Sequence, residues 1–222
     1  MMYLFVDIET LPAADRESVP APKAPANYKD PEKIAAYIEE HREEAYRATA
    51  LDPLAGRILC IGYAFEDEPA AVLYAEDGDE KALIARFAGV VHEAATRAHG
   101  SLGFVGHNLA AFDLRFLWFR ALAYGQHGLA RALPWHIWQR PWLSDTMLIA
   151  GGPTRERVSL AKLAAYFYVG AKSEGMTGAE VYPAYLRGEH DRIREYCRRD
   201  VELVRDIHNI LAVTEKKPGS DQ

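Results

Sequence analysis

Tyr3-Leu4-Phe5-Val6-Asp7-Ile8-Glu9-Thr10 is an apolar run that ends on two acids. Residues 3–8 are apolar on both alternating faces, which predicts a strand at the centre of a sheet covered on each side. Asp7 and Glu9 stand two residues apart, so on a strand both side chains leave the same face. Their α-carbons are expected roughly 6–7 Å apart, and two carboxylates at that spacing can flank or bridge a cation pair. Acids at the end of a core element are costly unless something offsets their charge, and divalent cations do that. Alone, such a pair at a strand end is more often solvent-facing than catalytic.

Outward from this strand the chain changes character. Prolines 12, 20, 22, 25 and 31 with charged and small neighbours predict an irregular surface segment. Residues 32–49, rich in Ala, Glu and Arg, read as a surface helix with Asp30 as N-cap and a thin apolar stripe (Ile34, Tyr37, Ile38, Ala45). We read 12–56 as a Pro-rich plus helical insertion. Residues 57–65 and 70–74 form a hairpin candidate around Glu66-Asp67-Glu68-Pro69. Helical periodicity follows over 79–98, then a short buried strand over 102–106 and a helix over 111–124. Residues 125–142 read as irregular and aromatic, and 160–168 and 191–213 as helices. The expected fold class is α/β: a mixed sheet flanked by helices in a single domain over 1–213, with a frayed tail over 214–222.

The chain has 222 residues, 49% hydrophobic and 26% charged, enough for a substantial core. A net charge of −6 excludes a broad basic field of the kind that coats duplexes. An enzyme that gathers carboxylates around metals need not be basic, because the ions reverse the local sign. Cys60 and Cys197 lack any C-x-x-C spacing and read as packing residues, which suits a reducing, cytoplasmic setting. No apolar run reaches the ~18 residues of a membrane span, and no signal peptide is visible, so no membrane partner is expected.

Two further stretches carry acids. Asp113, in His107-Asn108-Leu109-Ala110-Ala111-Phe112-Asp113, opens a helix directly after a strand, where the helix N-terminus favours a carboxylate with or without a metal. Asn108 reads equally well as a turn residue. Tyr196 and Asp200 are four apart on the last helix and share one side of it. They flank a stripe of Ile193, Cys197, Val201, Val204 and Leu211, which predicts a position at its edge beside a cleft. There the hydroxyl can hold a water next to a carboxylate. Oxygen ligands favour Mg²⁺ or Mn²⁺ over zinc.

In this order, Asp7-Ile8-Glu9, Asn108…Phe112-Asp113 and Tyr196…Asp200 resemble the motifs of the DEDD superfamily of 3′–5′ exonucleases. Tyr196 marks the tyrosine-bearing branch; the sister branch carries a histidine five residues before the last Asp, where this chain has Glu195. Ser144-Asp145-Thr146, Ser159-Leu160-Ala161-Lys162-Leu163-Ala164 and Tyr196-Cys197-Arg198-Arg199-Asp200-Val201 are similar to stand-alone bacterial exonucleases related to the exonuclease domain of family B DNA polymerases. The resemblance implies a ribonuclease H-like fold. It implies Asp7, Glu9, Asp113 and Asp200 as ligands of two Mg²⁺ or Mn²⁺ ions, with Tyr196 orienting the attacking water. The implied substrate is the 3′ end of single-stranded DNA, with RNA as an alternative, released as nucleoside 5′-monophosphates. A non-catalytic end-binding or polymerase-associated module is the rival of another class.

Thr10, Asn108, Phe112 and Lys172 are candidate substrate contacts. Asp145 and Thr146 read as site support or as a simple turn, and His190-Asp191 as a loop before the last helix. Trp135, Trp138 and Trp142 could stack bases, at about 1–3 kcal/mol each, but packing under a long loop is their more ordinary role. Arg42, Arg47 and the tyrosines of 12–56 could guide a strand inward, against the plainer reading of a solvated helix.

Overall fold

The computed structural model describes residues 2–135, 142–170 and 176–212. Lys172, Trp138 and the 214–222 tail lie outside the described residues. One five-stranded sheet organises the chain in the order β3-β2-β1-β4-β5. β1 (Met2–Leu11) is its centre, as the two-faced apolar run requires. β2 (Arg57–Phe65) and β3 (Ala71–Tyr74) run antiparallel beside it as the expected hairpin, while β4 (Leu102–Gly106) and β5 (Leu143–Asp145) extend it in parallel.

Alternation along β1 sorts its side chains between two cores. Leu4, Val6 and Ile8 pack with Phe87 and Ile84 of α2 (Glu80–Arg97) and with Phe116 and Leu117 of α3 (Asp113–Ala123). Phe5 joins the other core, with α6 (Leu160–Phe167) and α8 (His190–Ala212). Leu11 packs on the same side, against Ile193 and Tyr196 of α8 and Val181 of α7 (Gly178–Leu186). Asp7 and Glu9 share that odd-numbered face.

α8 packs across β3, β2, β1 and β4. Its close approach depends on Gly62, which pairs with Asp7: a Cβ there would stand 2.8 Å from Val201 Cγ2 and 2.9 Å from Cys197 Sγ. The register of β1 on β2 shifts between Glu9 and Thr10, where Glu9 faces Cys60 and Thr10 faces Ile58. Leu59 is the extra residue, and Leu59 and Cys60 consequently both pack in the α7–α8 core. Cys60 and Cys197 are fully buried there, consistent with packing roles.

Several expectations need correction. Residues 125–142 contain a short helix, α4 (His127–Ala132). Asp145 ends the fifth strand and caps α5 (Thr146–Gly151), so it does not sit in a simple turn. α7 was not anticipated, because Gly178 at its start and Pro183 inside it both argue against a helix. His190 lies in the first turn of α8, its Nδ1 2.7 Å from the Tyr74 hydroxyl. α1 (Pro31–Ala48) forms as expected, with Asp30 accepting from the Glu32 N–H. Its one buried residue is Tyr46, whose hydroxyl donates to Ala13 O at 3.1 Å and whose ring meets Tyr182 of α7 edge-on at 5.9 Å. That anchor fixes α1 against α7, above the end of β1.

Candidate active site

Asp7 and Glu9 from β1 and Asp200 from α8 each offer a carboxylate oxygen within 4.8 Å of the others. Asp200 is 4% exposed and Glu9 7%; Asp7 is half-buried. Three anionic groups this close in a low-dielectric setting repel one another. Oxygen donors from three carboxylates suit a hard divalent cation such as Mg²⁺ or Mn²⁺, so the residues present fit the implied ions.

Tyr196 is 3% exposed, which corrects its expected place at the rim of α8. The buried face of this helix is wider than one stripe, because α8 packs on four strands and also takes in Leu203 and Ile207. Burial, then the charges of Glu9, Asp200 and Asp7, push the Tyr196 hydroxyl well above the usual phenol range. It therefore keeps its proton and acts as a donor, with Asp200 as a hydrogen-bond partner.

Asp113 opens α3 and is 3% exposed. It is not one of the three clustered acids: its Oδ1 accepts the Ile8 N–H at 3.0 Å, between Asp7 and Glu9 in sequence. Burial pushes its pKa up to about 8, against the opposing hydrogen bonds from its own N–H and that of Ile8, with the Asp145 charge adding to the rise. Asp145 supports the loop that delivers Asp113. Its Oδ1 accepts from Asn108 N and its Oδ2 from Ala110 N, both at 3.0 Å, while Oδ1 also caps α5 through Met147 N and Leu148 N. Asn108 adopts φ +63°, a left-handed conformation that Asn tolerates better than most residues. Thr146 Oγ1 lies 2.9 Å from His107 Nδ1 and 3.2 Å from Gly106 O, locking the same turn.

A cleft of about 990 Å³ opens from Glu9. Ile8, Thr10, Asn108 and Phe112 line it, with Ala179, Tyr182 and Pro183 of α7 and Glu40, Glu43, Glu44 and Arg47 of α1. Thr10 lines it while its hydroxyl donates to Ala50 O at 2.7 Å, tying β1 to the segment after α1. Phe112 is half-buried there, 5.1 Å from the Phe116 ring. The place of α1 in this lining goes against the plainer reading of a solvated helix and puts Arg47, though not Arg42, at the cleft; a helix rich in exposed Glu and Arg has the same composition whether it faces bulk water or a cleft. Trp135 stacks on Trp118 at 4.7 Å, the packing role.

The sheet order, its mixed pairing and the covering helices define a ribonuclease H-like α/β fold. In this fold the chain is similar to the family B DNA polymerase of the hyperthermophilic archaeon Pyrobaculum calidifontis, with a TM-score of 0.60 and 20% sequence identity over 95% of the chain. The chain spans 24% of that polymerase's length. No protein-family model and no curated protein matches it. Among the described residues no helix is long and apolar enough to cross a membrane.

Proposed function

We propose that the protein is a divalent-metal-dependent 3′–5′ exonuclease of the tyrosine-bearing DEDD type, acting on single-stranded DNA ends. The observation that carries this reading is the meeting of Asp7, Glu9 and Asp200, distant in sequence, within 4.8 Å. The motif order and the fold shared with a family B DNA polymerase support it.

Asp7, Glu9 and Asp200 would hold Mg²⁺ or Mn²⁺, with Asp113 completing the set from the start of α3. Bound ions at such a site supply an activated water and stabilise the departing 3′-oxygen. The chain's own contribution is placement. Gly62 lets α8 bring Asp200 to Asp7, and the Leu59 bulge adjoins Glu9 where the register shifts. Tyr196, held protonated and hydrogen-bonded to Asp200, would turn its hydroxyl to orient the attacking water. Phe112, Asn108 and Thr10 line the cleft that receives the terminal nucleotide, and Lys172 is kept as a proposed phosphate contact from the sequence.

The test is digestion of matched 3′-labelled DNA and RNA single strands with Mg²⁺, Mn²⁺ or EDTA. Release of 5′-mononucleotides with either metal supports the proposal. A metal-raised affinity without release would establish the end-binding module in its place.

A further inference from the structure

α2 opens with Glu80, an acid only 6% exposed to which the nuclease reading assigns no role. Burying a carboxylate is costly unless its oxygens are answered, and here both are. Oε1 accepts the Ile58 N–H at 2.6 Å and stands 3.1 Å from Arg120 Nε, close enough for an ion pair though not aligned as a hydrogen bond. Oε2 accepts from the Tyr124 hydroxyl at 2.7 Å. Arg120 also donates through Nη2 to Gly56 O. The start of α2, the C-terminal end of α3 and the entry to β2 therefore meet at one acid.

Two of those segments lead to the site. Ile58 faces Thr10 across the register shift, and Leu59, the extra residue, separates it from Cys60, which faces Glu9. A slip of one residue there would turn Glu9 to the opposite face of the sheet. On α3, Arg120 lies two turns beyond Asp113 on the same side. Asp113 fixes the front of that helix to β1 through Ile8 N, and Arg120 fixes its rear to the entry of β2. Resting on the nuclease reading above, we propose that Glu80 is a positioning residue for the metal site: by gripping Ile58 and the rear of α3 together, it sets where Glu9 and Asp113 stand relative to Asp7 and Asp200. A buried ion pair gives little net stability over apolar residues of like size, whereas its directed bonds fix the groups they join.

The experiment pairs Mn²⁺ binding, read from the electron paramagnetic resonance of the free ion, with turnover of a 3′-labelled DNA strand. Glu80→Leu with Arg120→Leu removes the buried pair as a unit and orphans no charge. It is expected to weaken Mn²⁺ binding severalfold and to lower kcat by about tenfold or more, the range seen when a group behind a metal ligand is lost. Glu80→Gln with Arg120→Leu returns an acceptor to Ile58 N and should recover most of both. Tyr124→Phe drops one bond to Glu80, should show a smaller loss in the same direction, and decides the matter if the Leu pair does not fold. Val91→Ala, a buried truncation further along α2, lowers the melting temperature without touching this cluster and should leave Mn²⁺ affinity and kcat as in the wild type. Unchanged affinity and kcat in the Leu pair, losses that Gln does not recover, or an equal loss in Val91→Ala would overturn the inference and leave the nuclease reading standing. A wild type that neither binds Mn²⁺ nor digests the strand removes that reading and this inference with it.

Discussion

At the residue scale, each group in the site has one dominant constraint. For Asp7 and Asp200 it is, on the proposed reading, a shared cation, so Asp7→Ala or Asp200→Ala should reduce turnover to background while circular dichroism stays native. For Tyr196 it is proton retention under burial and three neighbouring acids. Tyr196→Phe keeps the ring in its core and removes only the donor, and should cost about 10²-fold in kcat. For Asp113 it is desolvation. Its folded pKa of about 8 stands above the ordinary 3.8, so its contribution to stability is full below about pH 4 and is lost as pH rises through 8. The melting temperature of the metal-free protein should therefore carry a downward slope between pH 5 and 8 that Asp113→Asn flattens. Equal slopes in the two proteins would contradict this account of Asp113.

At the element scale, the contacts between strands and helices set the geometry of the acids. Gly62→Val would force α8 away from β2, at about 1–3 kcal/mol for an overpacked contact, and separate Asp200 from Asp7. Activity should fall further than the loss of melting temperature explains. A second device sits behind the bulge. Buried Glu80 accepts from Ile58 N and the Tyr124 hydroxyl and pairs with Arg120 Nε at 3.1 Å. Glu80→Ala leaves Arg120 largely buried without that carboxylate and should destabilise by about 3 kcal/mol in urea melts. β1, β2, α2 and α8 were legible in the sequence because each is long, and the four-residue β3 because the turn before it marks a hairpin. β5 has three residues, and α4 and α5 six each, too short for periodicity to speak. α7 was hidden by Pro183, which the helix accommodates through its packing on α8 and β1.

At the scale of the whole molecule, the net charge of −6 means that, on the proposed reading, strand binding would rest on a local device: cations at the clustered acids, beside a cleft that Glu40, Glu43 and Glu44 also line. The three acids that cluster stood out in the sequence because carboxylates at the ends of core elements must be offset by something. The cleft lining did not, since nothing in the composition of α1 says which surface it faces. A cation that binds only the folded chain should raise the melting temperature, by roughly 5–10 °C at a hundredfold excess over its Kd, and Asp7→Ala should abolish the rise. The most direct test of the central claim follows a single-stranded DNA labelled at either end, in Mn²⁺, with wild type and Asp200→Ala side by side. The account predicts that the wild type immediately releases labelled 5′-mononucleotide from the 3′-labelled strand, shortens the 5′-labelled strand stepwise, and is silent in EDTA, with no release by the variant. Mononucleotide released first from the 5′ end, or undiminished release by Asp200→Ala, would contradict it.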